Sequence, residues 1–215
     1  MIRNLVLALA FAGTTAGRLP AQAREASWLQ RLDGVVNADE TAGWIEHKME
    51  GGGQVYLRRS GNVLEIAIRT SPLMVASLCL ATANRVTVLH ASAALGSVTY
   101  TRSGSSFHTE QAFEWRMREG DMSPATHQRR LEYFTTNGWV ANTTRMGTPG
   151  HVELRLALDR YPPEDLYIAL GVMNQLGQVT GWPQSAGACA HAQLVAGTAP
   201  RALDFSTERW ISLPR

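Results

Sequence analysis

The sequence predicts an all-β chain, an antiparallel β-sandwich with one short inserted helix. Three observations predict it: apolar and polar residues alternate with period two over most of the chain, turn-forming clusters punctuate the runs, and one stretch alone has helical spacing. Gln54 to Arg59 reads as a strand, Ser60-Gly61-Asn62 as a turn, and Val63 to Arg69 as the return strand of a hairpin. In that return strand Leu64, Ile66 and Ile68 share one face while Glu65 and Arg69 share the other. Strands follow at Val75 to Leu80, Arg85 to Ala91 and Leu95 to Arg102. Phe113, Trp115 and Met117 alternate with Glu114, Arg116 and Arg118, and Val152, Leu154, Leu156 and Leu158 with His151, Glu153 and Arg155. Both patterns predict half-buried antiparallel strands with one wet face. Trp139 to Arg145, Leu166 to Met173 and Cys189 to Val195 complete the set. Between them, Ser123-Pro124 supplies an N-cap with proline at the first helical position, the run through Phe134 has helical spacing, and Asn137-Gly138 stops it. One helix among many short strands, with no βα repeat, favours a sandwich over a parallel sheet.

The amino end reads as an export signal: Arg3 as the positive n-region, Leu5 to Ala12 as the apolar h-region, and Ala21-Gln22-Ala23 as an A-x-A cleavage site. The apolar run is far short of the ~20 residues a membrane-spanning helix needs. The expected mature chain is residues 24–215, one domain, secreted or periplasmic and without a membrane span. The full chain of 215 residues carries 20 Lys and Arg against 18 Asp and Glu; losing Arg3 and Arg18 with the signal leaves it formally neutral. A broad basic footprint for nucleic acid is thereby excluded. Cys79 and Cys189 are the only two cysteines, an even count in an oxidising compartment, so a single disulfide between them is expected.

Residues 32–70 carry, in order, Asp33-Gly34, Glu40 with Trp44, Val55-Tyr56-Leu57 and Gly61-Asn62-Val63-Leu64, and residues 152–158 read VELRLAL. This succession resembles the family 9 carbohydrate-binding modules of the DOMON-like superfamily. It departs from their pattern where Glu65 stands in place of a tyrosine and where Pro162 follows the late strand instead of lying within it. The resemblance implies an antiparallel β-sandwich. Its functional implication is divided, since such domains bind sugars, bind haem or serve as accessory modules, and fold alone does not choose.

A sugar site needs an aromatic face for the apolar side of the ring and polar groups for its hydroxyls. Trp139 near Asn142, Trp182 within Gly-Trp-Pro, and Tyr100 near Arg102 fit that pattern, and of these Trp139 and Trp182 are expected to be exposed. Trp115, beside Arg116, is in phase with Phe113 and Met117 and reads as core, as does Trp44. His90 stands two places before Ser92 in a strand-like run, either a buried structural histidine or a ligand contact beside Tyr100 and Arg102. Two such same-face residues lack the orienting acid that acyl transfer requires, and G-x-S-x-G is absent. His108 and Glu110 read as polar loop residues after Ser103-Gly104-Ser105-Ser106. No cofactor is expected. The competing cofactor reading, a b-type haem on methionine and histidine, finds no pair distinguished by spacing, and C-x-x-C-H is absent. No two histidines are spaced for zinc. The expectation is a module without chemistry of its own that binds a glycan or another small molecule, with a haem-binding electron carrier and a hydrolase as the alternatives.

Overall fold

The computed structural model describes residues 31–213 except 71–72, 74, 93, 111–113, 118–122, 144–148, 162–165 and 193–197, with 114–117 described by backbone alone. The signal-peptide expectation therefore lies outside the described residues, as do Phe113 and Arg118. In chain order the strands are β1 (Ile45–Met49), β2 (Gly53–Ser60), β3 (Val63–Thr70), β4 (Val75–Ala81), β5 (Arg85–Ala91), β6 (Leu95–Ser103) and β7 (Ser106–Thr109). There follow β8 (Glu114–Met117), helix α1 (Pro124–Asn137), β9 (Trp139–Asn142), β10 (Gly150–Ala157), β11 (Tyr167–Met173) and β12 (Val179–Trp182). Helix α2 (Gly187–His191), β13 (Ala202–Leu203) and β14 (Ile211–Ser212) end the chain.

Alternating strands bury their apolar faces by stacking two sheets, and that is the arrangement seen. The first sheet has the order β1-β2-β3-β10-β9; the second runs β12-β11-β4-β5-β6-β7-β13, with β14 on β11 and β8 on β6. All pairings are antiparallel. Gly61 and Asn62 form the two-residue loop of the β2–β3 hairpin, with Gly61 at φ 60°, the left-handed conformation such a loop requires. In register across the first sheet, Leu57, Ile66 and Leu154 face inward, and one step along, Arg58, Glu65 and Arg155 face outward. The inward set meets Leu78, Leu89 and Leu170 of the second sheet in one apolar core.

The second sheet is buried on its outer face as well. Cys79, Val88, Val98, Tyr100, Phe107 and Ala169 pack there against Ala186, Cys189, Phe205 and Trp210 of the C-terminal segment. The expected Cys79–Cys189 disulfide is present and pins α2 to β4. At Gly171 a Cβ would lie 2.3 Å from Ala190 Cα, so only glycine lets α2 sit this close to β11.

Helix α1 starts and stops as expected: the Ser123 hydroxyl accepts from the Thr126 N–H, and Gly138 takes φ 74°. Three expectations are corrected. Cys189 lies in α2, not in a strand, because a run of small residues coils onto Gly171 where period alone cannot separate helix from strand. The loop reading of His108 gives way to β7, where His108 pairs with Thr101 and Ala202. The outer face of β10 is not wet: His151, Glu153 and Arg155 are all buried. What covers them is the N-terminal strap, residues 31–44.

Candidate ligand pocket beneath an N-terminal strap

Residues 32–36 cross the outer face of β9 and β10, bending at Asp33-Gly34 where Gly34 takes φ 74°, and side chains of those strands hold the backbone at Leu32, Gly34 and Val36. The Asn142 amide donates to the Leu32 carbonyl at 2.8 Å, the Gly34 N–H donates to Glu153 Oε2 at 2.7 Å, and the Val36 N–H donates to His151 Nδ1 at 3.0 Å. His151 and Glu153, two apart on β10, and Asn142, opposite Glu153 on β9, present their side chains on one face of the sheet, which makes the three bonds compatible. Arg130 of α1, fully buried, donates to Asn142 Oδ1 at 3.1 Å and so braces the first of them. Beyond Val36 the strap turns: the Asn37 N–H donates to Glu40 Oε2, the Thr41 N–H to the Asn37 carbonyl and the Trp44 N–H to the Thr41 carbonyl.

Between strap and sheet lies a pocket of about 170 Å³ lined by Arg31, Glu40 and Trp44 from the strap and Arg58, Glu153 and Arg155 from the sheet. Beneath it Glu65 pairs with both Arg58 and Arg155, one carboxylate bridging two guanidiniums. The Arg58 guanidinium lies 4.5 Å over the Trp44 ring, a cation–π contact. The Trp44 indole N–H is buried and has no hydrogen-bond acceptor among the described residues. Burial pushes the Glu153 carboxyl up to about 8, with Asp33 and Glu40 adding to the rise and the Gly34 N–H opposing it. Burial, then the neighbouring Arg31 and Arg58, lowers Arg155 to about 9, still a cation at neutral pH. The pocket thus presents three guanidiniums, an indole, the Glu40 side chain and, at Glu153, a carboxyl held neutral at pH 7.

The residues expected to form a sugar site are not brought together. Trp139, 2% exposed, packs edge-on against Tyr133 in the inner core, and Trp182, 6% exposed, lies against His47 where the sheet edges meet. Their expected accessibility is corrected: both sit on inward faces, and a tryptophan near a turn is still core when its strand phase points inward. Tyr100 is buried on the outer face of the second sheet, its hydroxyl donating to the Pro200 carbonyl at 3.1 Å, and burial pushes the phenol up to about 12. Arg102 is exposed, its guanidinium over Phe107 and its Nε bonded to the Ala83 carbonyl. Asn142 serves the strap. His90 is buried between Ser77 and Gly96 of the neighbouring strands, and burial lowers its imidazole to about 4. That environment answers the question its sequence raised in favour of a neutral histidine within the sheet.

Trp44 was expected in the core and instead lines the pocket, half-buried. The available signal was its place in a turn-forming segment outside any alternating run; no local pattern foretold Glu153, 109 residues away, as its neighbour. Among the described residues no group of three or more His, Cys, Asp or Glu stands close enough to hold a metal, and no helix is long and apolar enough to cross a membrane. No family model matches the chain, nor does any curated protein or solved structure, so the chemistry of this pocket rests on its own residues.

Proposed function

We propose that the protein is an exported, non-catalytic binding module of DOMON-like type whose ligand is a saccharide or a similarly small polar molecule seated in the pocket under the strap. The observation that carries this reading is Trp44: a half-buried indole, set among hydrogen-bonding side chains, in a concavity. An aromatic surface beside polar groups is what a sugar ring requires. The volume of about 170 Å³ is below the roughly 300 Å³ at which drug-sized sites begin, so the ligand is small or presents one small unit. The disulfide and the signal-like amino end support export. Calorimetric titration with a panel of mono- and disaccharides and sugar acids tests the reading. Binding that Trp44→Ala weakens at least about tenfold is expected; a panel that does not bind, or bound ligands indifferent to Trp44→Ala, sinks it.

One observation favours a second reading, a hydrolase: Glu153 is a carboxyl held protonated at neutral pH beside the Glu40 carboxylate, a pairing that general acid catalysis uses. Turnover of a chromogenic glycoside that Glu153→Gln abolishes, with ligand binding retained, would establish it. Absence of turnover across such substrates leaves the binding module.

A further inference from the structure

We propose that the ligand of this pocket carries a carboxylate, as a sugar acid does, and that Arg31 is the residue that selects for it. The inference rests on the binding reading above and names the ligand class. The pocket is unbalanced in hydrogen-bonding capacity. Arg31, Arg58 and Arg155 each bring five N–H donors and no acceptor, and Trp44 brings one donor. Against them the lining offers two carboxyl groups, Glu40 and Glu153. Both are engaged with strap backbone, Glu40 accepting from the Asn37 N–H and Glu153 from the Gly34 N–H. Glu65 sits below and is shared between Arg58 and Arg155. Asp33 lies nearby but is outside the lining, with Oδ1 accepting from the Val35 N–H.

Arg31 therefore differs from the other two arginines. It is exposed at the rim, and among the described residues it has no ion-pair or hydrogen-bond partner. A neutral sugar hydroxyl both donates and accepts, so it leaves the surplus of donors as it finds it. A carboxylate only accepts, with two oxygens that match the planar fork of a guanidinium. The Glu65 carboxylate between Arg58 and Arg155 shows that guanidiniums in this cluster already bind a group of that shape. The protonated state of Glu153 at neutral pH removes a charge that would repel such a ligand.

The test is calorimetric titration of the full mature protein with glucuronate, with glucose as its neutral counterpart, with a soluble polyuronate and with inorganic sulfate. Glucuronate is expected to bind at least about tenfold more tightly than glucose, as a charge-assisted contact implies. That advantage should shrink with added salt. Arg31→Ala should abolish the preference, and Arg31→Lys should restore part of it. Arg31 is a rim residue, so circular dichroism and thermal melting of both variants should match the parent. Preference for the monomer identifies a free sugar acid, and preference for the polymer an acidic polysaccharide end; each supports the proposal. Equal binding of glucose and glucuronate, unchanged by Arg31→Ala but weakened by Trp44→Ala, overturns the carboxylate and leaves the binding module. Sulfate binding as tightly as glucuronate overturns the selection for a carboxylate, and no binding by any probe overturns both readings.

Discussion

The outer faces of the two sheets are both covered, and they are covered by opposite chemistry. On the second sheet Cys79, Val88, Val98, Tyr100 and Phe107 meet an apolar C-terminal layer that a disulfide holds in place. On the first sheet Glu65, Arg155, Glu153, His151 and Asn142 are buried under the strap, held by hydrogen bonds and ion pairs. The first arrangement gains free energy from area removed from water. The second spends free energy on desolvation and recovers it only through close partners, so it contributes less to stability and more to placing groups around a cavity. Difference in cover therefore separates a face sealed by apolar packing from a face whose polar groups surround a cavity.

Four changes break or sharpen that contrast. The largest effect belongs to the apolar face: Cys79→Ala with Cys189→Ala opens a loop of sequence separation 110. In the chain-entropy model this lowers unfolding free energy by about 4 to 5 kcal/mol. Denaturant melts should show it, with ligand affinity unchanged. A drop in affinity as large as the drop in stability would mean that the two faces are not independent. Next is Arg155→Met, which leaves Glu65 without its buried partner and should cost about 3 to 4 kcal/mol. Adding Glu65→Leu should recover most of the loss, since an apolar pair no longer carries an uncompensated charge. Failure of the double substitution to recover would show that the ion pair itself holds the face.

The remaining two concern pH and run in opposite senses. Glu153 has its carboxyl raised from 4.5 to about 8 in the folded protein, so the folded state binds the proton more tightly. Its contribution is fully present below pH 4.5 and is lost as pH rises toward 8. Glu153→Gln should remove that slope and stabilise the protein at pH 8, read from melts across pH. His90 is lowered from 6.5 to about 4, so its contribution is present above pH 6.5 and lost as pH falls toward 4. His90→Gln should flatten the acid limb, the smallest of the four effects because its shift is smaller than that of Glu153. A Glu153→Gln variant with an unchanged alkaline limb would show the carboxyl to be ionised in the folded state.

Much of the fold was legible because it depends on neighbours in sequence. The Gly61-Asn62 hairpin loop, the Ser123-Pro124 start of α1 and the strand limits of β5 are local signals, and the structure has them where expected. The site was harder to read. Alternation tells which residues share a face but not what covers that face, so the polar face of β10 was expected in water and Trp139 was expected to be open. Trp44 and Glu153 become partners only when the strap crosses the sheet, through bonds such as Gly34 to Glu153 that span 119 residues. The Cys79–Cys189 pairing was readable at similar range for a different reason: with two cysteines there is only one way to join them.

By itself the sequence determined the all-β class, the antiparallel pairing of its hairpins, the one capped helix and the two ends of the disulfide. Each follows from a periodicity, a cap or a count that survives without knowing the rest of the chain. The tertiary structure decided which faces are buried twice, why Gly171 must be glycine, and that Arg31, Glu40, Trp44, Arg58, Glu153 and Arg155 share one pocket. Those facts depend on where the strap and the C-terminal layer come to rest. Burial on a sheet's second face is a property of the segment laid over it, and the strand's own residues do not encode that segment's path.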